Sequence, residues 1–383
     1  MHFLNLTLAA LAVLSCLILF WQWLAARKFP LHQKNAVTGF APAVSILKPL
    51  KGCDDSTATS LQSWCRQNYT GQVEILFGVA DANDPVCELV RRLLAENPGC
   101  AARLVVCENL VGTNAKVAKL ARLEKLAAHE LILISDADVW VPPNFLANFV
   151  APLRDEKNGL VNCFYRLANP ATNAMKWEAV AINADFWSQV LQSRTLKPLD
   201  FALGAAILMR RQALVQIGGF AALADCLADD YQLGRRIAQN GHRIALSPMV
   251  VECWDAPQTW KQVWKHQLRW ARTIRVCQPA PYFFSILSNA GWWSMLWLVF
   301  AVLTRQPLYA PAIAGGLLLV RILLAGSLQR RFTTDRPLVS PFWLVFVKDV
   351  LQTAIWLTSF AGNKVEWRGR KMKVRPDGTL VEI

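Results

Sequence analysis

The stretch Leu131-Ile132-Leu133-Ile134-Ser135-Asp136-Ala137-Asp138 decides the fold. A short continuous apolar run of this kind reads as a buried strand, and it delivers two carboxylates at its carboxyl end, where open α/β sheets bind their ligands. Two acidic residues at i and i+2 in that place point to a divalent cation. Mg²⁺ or Mn²⁺ is typically held by one or two protein carboxylates together with substrate phosphates, so a nucleotide diphosphate would complete the shell. A lone D-x-D is also common in loops, and its weight comes from what surrounds it.

Working outward, Val44 to Leu47, Val73 to Val79 and Leu104 to Val106 read as further buried strands, with helical patterns at Ala115 to Ala128 and Pro143 to Val150. This alternation, from about Ala43 to Ser247, is that of an α/β domain around a mainly parallel sheet. Two more acidic points fall within it. Asp81, in Asp81-Ala82-Asn83-Asp84-Pro85, follows a strand and reads either as a turn residue or as a ligand contact. Leu227-Ala228-Asp229-Asp230-Tyr231 opens a helical pattern that runs to about Gln239. Its carboxylates suit an N-cap at the helix dipole, and equally a general base that takes a proton from an attacking hydroxyl.

The ends of the chain are of another kind. Of 383 residues 54% are hydrophobic and 16 are Trp, too apolar for an ordinary soluble domain. Phe3 to Ala26 is about the 20 residues a spanning helix needs, and Arg27, Lys28 and Lys34 follow at once. It reads as an uncleaved anchor, because Met1 and His2 give no basic leader and Trp21-Gln22-Trp23 stands where a cleavage site would need small residues. The positive-inside rule then puts the following domain in the cytosol. Ser285 to Thr304 and Leu308 to Ser327 read as a helical hairpin, with Arg321 as a snorkelling anchor. Pro341 to Phe360 carries Lys348 and Asp349 in its middle, which disfavours a simple span and favours a re-entrant or interfacial segment. Such a segment keeps the tail of Arg368, Arg370, Lys371, Lys373 and Arg375 in the cytosol.

The net charge of +14 suits an anionic membrane surface, since no nucleic-acid motif accompanies it. The ten cysteines form no framework and read as reduced thiols of a cytosolic domain. Between domain and hairpin, Trp260 to Arg272 places Trp, Val and Leu at helical spacing opposite Lys and Arg, the pattern of a helix lying on a membrane surface. Arg269 on it could still face a phosphate.

Taken in order, SILKPLKG, VADANDP, Val111-Gly-Thr-Asn-Ala-Lys116, SDADV, LADDY and His266-Gln-Leu-Arg-Trp270 resemble glycosyltransferase family 21, the ceramide glucosyltransferases and their bacterial relatives that glycosylate hopanoids. The resemblance covers roughly Val44 to Gln278. It implies an α/β fold of the GT-A, Rossmann-like type carrying N-terminal and C-terminal transmembrane helices. It further implies Asp81 on the nucleotide, Asp136 at the metal and diphosphate, Asp230 as the base, and Arg269-Trp270 in a (Q/R)-x-x-R-W motif whose first position is here His266. Lys116, Asp138 and His266 join the substrate-binding set, and Asp136 with Asp138 would hold Mg²⁺ or Mn²⁺.

The division that follows is 1–27 anchor, 43–255 cytosolic catalytic domain, 256–280 interfacial helix, 285–362 membrane segments and 363–383 basic tail. The expected activity is single-step, inverting transfer of a hexose from a UDP-sugar to a membrane lipid, with UDP-glucose and ceramide first and UDP-N-acetylglucosamine with a hopanoid polyol second. A processive polysaccharide synthase would need more spans to enclose a pore. A non-catalytic nucleotide- or lipid-binding protein would have broken acidic motifs. The expected setting is a bacterial inner membrane, with the lipid bilayer and no nucleic acid as partner.

Overall fold

A computed structural model describes residues 1–34, 39–334, 340–367, 370–375 and 377–383. These residues fall into two compact units: Leu31–Asn169 with Pro198–Ala256 and Gly378–Ile383, and Met1–Pro30 with Pro170–Lys197 and Pro257–Asp377.

The first unit is built on an eight-stranded sheet of β1 (Val44–Pro49), β2 (Val73–Val79), β3 (Ala102–Val106), β4 (Leu131–Ser135), β5 (Val139–Trp140), β6 (Asn158–Leu167), β7 (Ala206–Arg210) and β8 (Arg243–Cys253). Its order is β3-β2-β1-β4-β7-β6-β8-β5. The four strands read from the sequence are mutually parallel neighbours, joined by crossover helices, and every residue of β1 and β4 is buried. That burial is why Leu131 to Ile134 of β4 reads as an unbroken apolar run rather than as an alternation. Beyond β4 the sheet is mixed: β7 runs antiparallel to β4 and β6, and β6 pairs in parallel with β8.

Register places the site. Leu47 of β1 lies opposite Ile134 of β4, so Lys48 falls beside Ser135 at the edge where Asp136 emerges. Helix Ala115–Glu124 packs Val117, Leu120 and Leu123 into the same core as Ile132 and Ile134. It begins at Asn114, whose side chain accepts hydrogen bonds from the Lys116 and Val117 backbone N–H groups, the satisfaction an N-cap supplies.

The second unit is helical. His2–Lys28 and Tyr309–Phe332 are each long and apolar enough to cross a bilayer. Alanines let its helices close on one another, with Ala12, Ala301, Ala310 and Ala314 packed around Trp297. Two sequence expectations need correction here. Ser285 to Thr304 is not one straight span: Pro279–Ser288 and Ala290–Leu303 meet at a 49° bend, with Asn289 capping the second helix. Arg321 is no snorkelling anchor, being 2% exposed and paired with two carboxylates. The interior charges of the segment at Pro341 to Phe360 are likewise met: it forms helix Trp343–Phe360, and Lys348 and Asp349 are buried in ion pairs. Charges avoided by a hydropathy argument are here neutralised by partners far away in sequence.

The tail is structured where it is described. Lys364–Trp367 pairs antiparallel with Arg370–Val374, while Arg368 lies outside the described residues. In the sheet unit, the closing residues dock onto the loop before Asp229 through Leu380 N–H to the Asp225 carbonyl (2.8 Å) and Leu227 N–H to the Gly378 carbonyl (3.2 Å). None of the ten cysteines, all among the described residues, is in a disulfide.

Candidate active site

At the carboxyl edge of β4 the chain turns sharply, and a buried lysine holds the turn. Lys48 Nζ donates to the Asp136 carbonyl (2.7 Å) and to Ser135 Oγ (3.3 Å), and lies 4.4 Å from the centroid of the Trp64 ring. Burial lowers this ammonium to about 7, against the pull of Asp138 and Asp136. Sequence reasoning missed Lys48. The available signal was a lysine directly continuing the apolar run Val44 to Leu47.

Lys116 faces the side chain of the same turn. Its Nζ lies 2.9 Å from Asp136 Oδ1 and 3.2 Å from Asp229 Oδ2, so one ammonium bridges two acidic motifs. Burial works against the charge, but Asp136 and then Asp229 outweigh it and hold Lys116 above the ordinary lysine range. The bridge forms because two loops are stitched together upstream of it. Thr113 donates from N and Oγ1 to Asp225 Oδ1 (2.8 and 3.1 Å), and Asn114 Nδ2 donates to the Cys226 carbonyl (2.8 Å).

Asp229 and Asp230 occupy the first turn of helix Asp229–Gln239, and Ala228 stands at its cap position without a side-chain hydrogen bond. The N-cap reading of this pair is therefore overturned, although both still meet the positive end of the helix dipole. The two carboxylates differ in environment. Asp229 is ion-paired with Lys116, whereas Asp230 Oδ1 accepts from the Tyr231 backbone N–H (2.8 Å). Burial first, and Asp229 second, push the Asp230 carboxyl up to about 6. A Cβ at Gly204 would stand 2.8 Å from Asp230 Oδ2, so only glycine lets the neighbouring loop approach this closely.

Asp138 is strongly shifted as well. Burial, then Asp136 and Asp255, push it up to about 7. Asp255 was not found by sequence reasoning, because a lone Asp beyond a strand carries no spacing signal. Among the described residues no group of three His, Cys, Asp or Glu is arranged for a metal. A pair of carboxylates nevertheless fits Mg²⁺ or Mn²⁺ that draws its remaining oxygens from a diphosphate, and the mutual repulsion around Asp138 is charge that such a cation would offset.

Asp81 lies exposed after β2, where Oδ1 accepts from the Asn83 N–H (2.9 Å) in a local turn. Its neighbour Asp84 accepts the Gly52 N–H on both oxygens (2.9 and 3.0 Å), tying the loops after β1 and β2 together.

His266, Arg269 and Trp270 belong to the helical unit, on helix Trp260–Cys277, which starts in a capping box of Thr259 and Gln262. His266 Nδ1 lies 2.8 Å from Glu178 Oε1, and the His266 ring packs 4.5 Å from that of Trp270. Glu178, 2% exposed, also accepts from Gln267 Nε2 (2.7 Å). The imidazole at the first motif position thus stands between Glu178 and the Trp270 ring.

Comparison with known proteins agrees with this architecture. The profile described as Glycosyl transferase family 21 matches residues 7–380. Ceramide glucosyltransferase 3 of Caenorhabditis elegans is 26% identical over 227 residues, which are 58% of this chain and 49% of that protein. Ceramide glucosyltransferase of Candida albicans is 32% identical over 126 residues, 30% of this chain and 23% of that one. The chain thus spans about half the length, or less, of these curated relatives. Among solved structures, the mannosyltransferase PcManGT from Pyrobaculum calidifontis in complex with GDP-Man and Mn²⁺ superposes on 93% of this chain and 97% of its own, at a TM-score of 0.54 and 20% identity. That likeness shows the fold, which is GT-A-like.

Proposed function

The chain belongs to glycosyl transferase family 21, and from that membership we propose that it transfers a hexose from a UDP-sugar to a hydroxyl of a membrane lipid in one inverting step. The observation that carries the reading is the division of labour among the acids. Asp230 is held near 6, where a carboxylate can accept a proton close to neutral pH, while Asp136 and Asp229 share the Lys116 ammonium.

In this reading Asp230 takes the proton of the acceptor hydroxyl as its oxygen attacks the anomeric carbon from the face opposite the diphosphate. Lys116 and Arg269 offset the charge that develops on the departing UDP. Asp136 and Asp138 would hold a divalent cation, which when bound supplies further charge stabilisation at the diphosphate. Lys48 keeps the Asp136 turn in place through its backbone carbonyl, and Asp81 contacts the nucleotide. No covalent sugar–enzyme intermediate is needed, so one base suffices, in contrast to retaining glycosidases.

UDP-glucose and ceramide are the donor and acceptor we propose, because the curated relatives are ceramide glucosyltransferases. In this reading residues 43–255 form the catalytic domain, and Arg27, Lys28 and Lys34 after the first span support a position on the cytosolic face. Mass spectrometry of lipids from ceramide-containing cells with and without this chain tests the reading: hexosylceramide should appear with it. An N-acetylhexosaminyl hopanoid would move the substrate assignment, and no new glycolipid would overturn the reading. Chelation with EDTA should abolish transfer, and full turnover in its presence would remove the metal from Asp136 and Asp138.

A further inference from the structure

The loop that leads into helix Asp229–Gln239 is held by two stretches of chain. One is Thr113-Asn114: the Asn114 N–H donates to the Ala224 carbonyl (2.8 Å), Thr113 donates to the Asp225 side chain, and Asn114 Nδ2 donates to the Cys226 carbonyl. The other is Gly378–Leu380, which belongs to the same compact unit although it lies about 150 residues further along. Leu380 N–H donates to the Asp225 carbonyl (2.8 Å) and Leu227 N–H to the Gly378 carbonyl (3.2 Å), which sets Cys226 opposite Thr379 in an antiparallel bridge. Leu380, Cys226 and Leu227 are all buried. Gly378 has φ +85°, a conformation that favours glycine, and a Cβ there would stand 3.2 Å from Gln232 Nε2. The segment therefore abuts both the loop and the helix that carries Asp229 and Asp230.

The first tether also fixes Lys116, because Asn114 caps the helix on which Lys116 stands. Asp229 lies beyond its reach. From Ala224 to Ala228 the chain forms no helix or longer strand, and Ala228 contributes no side-chain cap. A stretch with so few local bonds opens readily unless something else pairs with it, and what pairs with it is Gly378–Leu380. The ion pair downstream depends on this placement. Lys116 has two partners, Asp136 at 2.9 Å and Asp229 at 3.2 Å. Were Asp229 to draw back, the ammonium would belong to Asp136 alone and would sit on the carboxylate that is to take the cation.

We propose that Gly378–Leu380 is a positioning segment for the nucleotide site: by pairing with Asp225–Leu227 it holds Asp229 against Lys116 and so sets the charge that meets the donor diphosphate. The inference rests on the assignment of Lys116 and Asp136 to the donor in the reading above. Gly378 and Leu380 act only through Asp229.

The test is calorimetric titration of the full-length protein in detergent with UDP and Mg²⁺. Leu380→Pro removes the N–H that donates to Asp225, and Gly378→Ala strains the turn whose carbonyl accepts from Leu227. Each should raise the Kd for UDP by about fivefold, the effect of one net hydrogen bond, with unchanged stoichiometry. Leu380→Met keeps both the N–H and the apolar volume and should bind as the wild type does. A double-mutant cycle separates positioning from a general loss of structure. In an Asp229→Asn background the effect of Leu380→Pro should vanish, because no carboxylate is left to position; an equal effect in both backgrounds overturns the inference. Hydrogen exchange supplies a readout that needs no nucleotide: the Leu227 amide should exchange faster in both variants, and unchanged protection in both would refute the pairing. A wild type that does not bind UDP refutes the donor reading, and with it the role proposed here. A wild type that binds, with variants that bind equally well, refutes the positioning role alone.

Discussion

Replacing Asp230 by Asn separates catalysis from stability at one atom. The Asp230 carboxyl is held at about 6 against an ordinary 3.8, so the folded protein binds this proton more tightly than the unfolded chain does. Stability is therefore highest below about pH 4, falls as pH rises between about 4 and 6, and stays reduced above. At about 1.36 kcal/mol per pKa unit, a rise from 3.8 to about 6 disfavours the ionised form at pH 7 by an amount on the order of a few kcal/mol. Asn has no charge to desolvate and no repulsion toward Asp229, and its amide oxygen can still accept from the Tyr231 N–H. Asp230→Asn should then raise the apparent melting midpoint of the detergent-solubilised protein at pH 7 and leave it nearly unchanged at pH 4. Transfer should fall by about 10² to 10⁴ with UDP-sugar affinity retained. Asp229→Asn is the control: it leaves Lys116 with Asp136 alone and should weaken donor binding more than it slows the chemical step. A variant at position 230 that turns over at nearly the wild-type rate would refute the base assignment. A variant that gains no stability at pH 7 would refute the argument from burial and repulsion.

Three further outcomes follow from the same geometry. The transfer rate of the wild type should decline as pH drops through about 6, as Asp230 takes up its proton, and a rate that is flat down to pH 4.5 would exclude it as the group that titrates. Lys116→Met leaves Asp136 and Asp229 facing each other without their shared ammonium, and should weaken UDP binding by about tenfold or more in calorimetry; unchanged affinity would reduce the bridge to a structural tie. Arg321→Met leaves two buried carboxylates, Asp185 and Asp349, to share Lys348 alone and should cost about 3 to 5 kcal/mol, seen as a lowered melting midpoint, with Asp185→Asn in the same chain restoring part of the loss. No recovery in the double variant would argue against the network as drawn.

Much was legible in the sequence because it is local. The run Leu131 to Ile134 is buried on both faces, so it shows as continuous apolarity, and the acids after it mark the ligand edge of the sheet. The first span and the Trp260–Cys277 helix were readable for a similar reason, since length and periodicity are properties of neighbouring residues. Six ordered motifs gave the family. What only the tertiary structure decided are the charge partnerships, because an ion pair is a contact between residues that spacing does not relate. Lys48 holds the backbone of Asp136 from 88 residues away. Lys116 joins two motifs, and that pairing is what makes the adjacent Asp229 and Asp230 chemically different. Arg321 meets Asp349 28 residues on and Asp185 136 residues back. A hydropathy reading treats each such charge as a cost to be carried alone to the membrane surface; the fold brings opposite charges together in the interior, and their mutual compensation, invisible along the chain, is what permits them to stay buried.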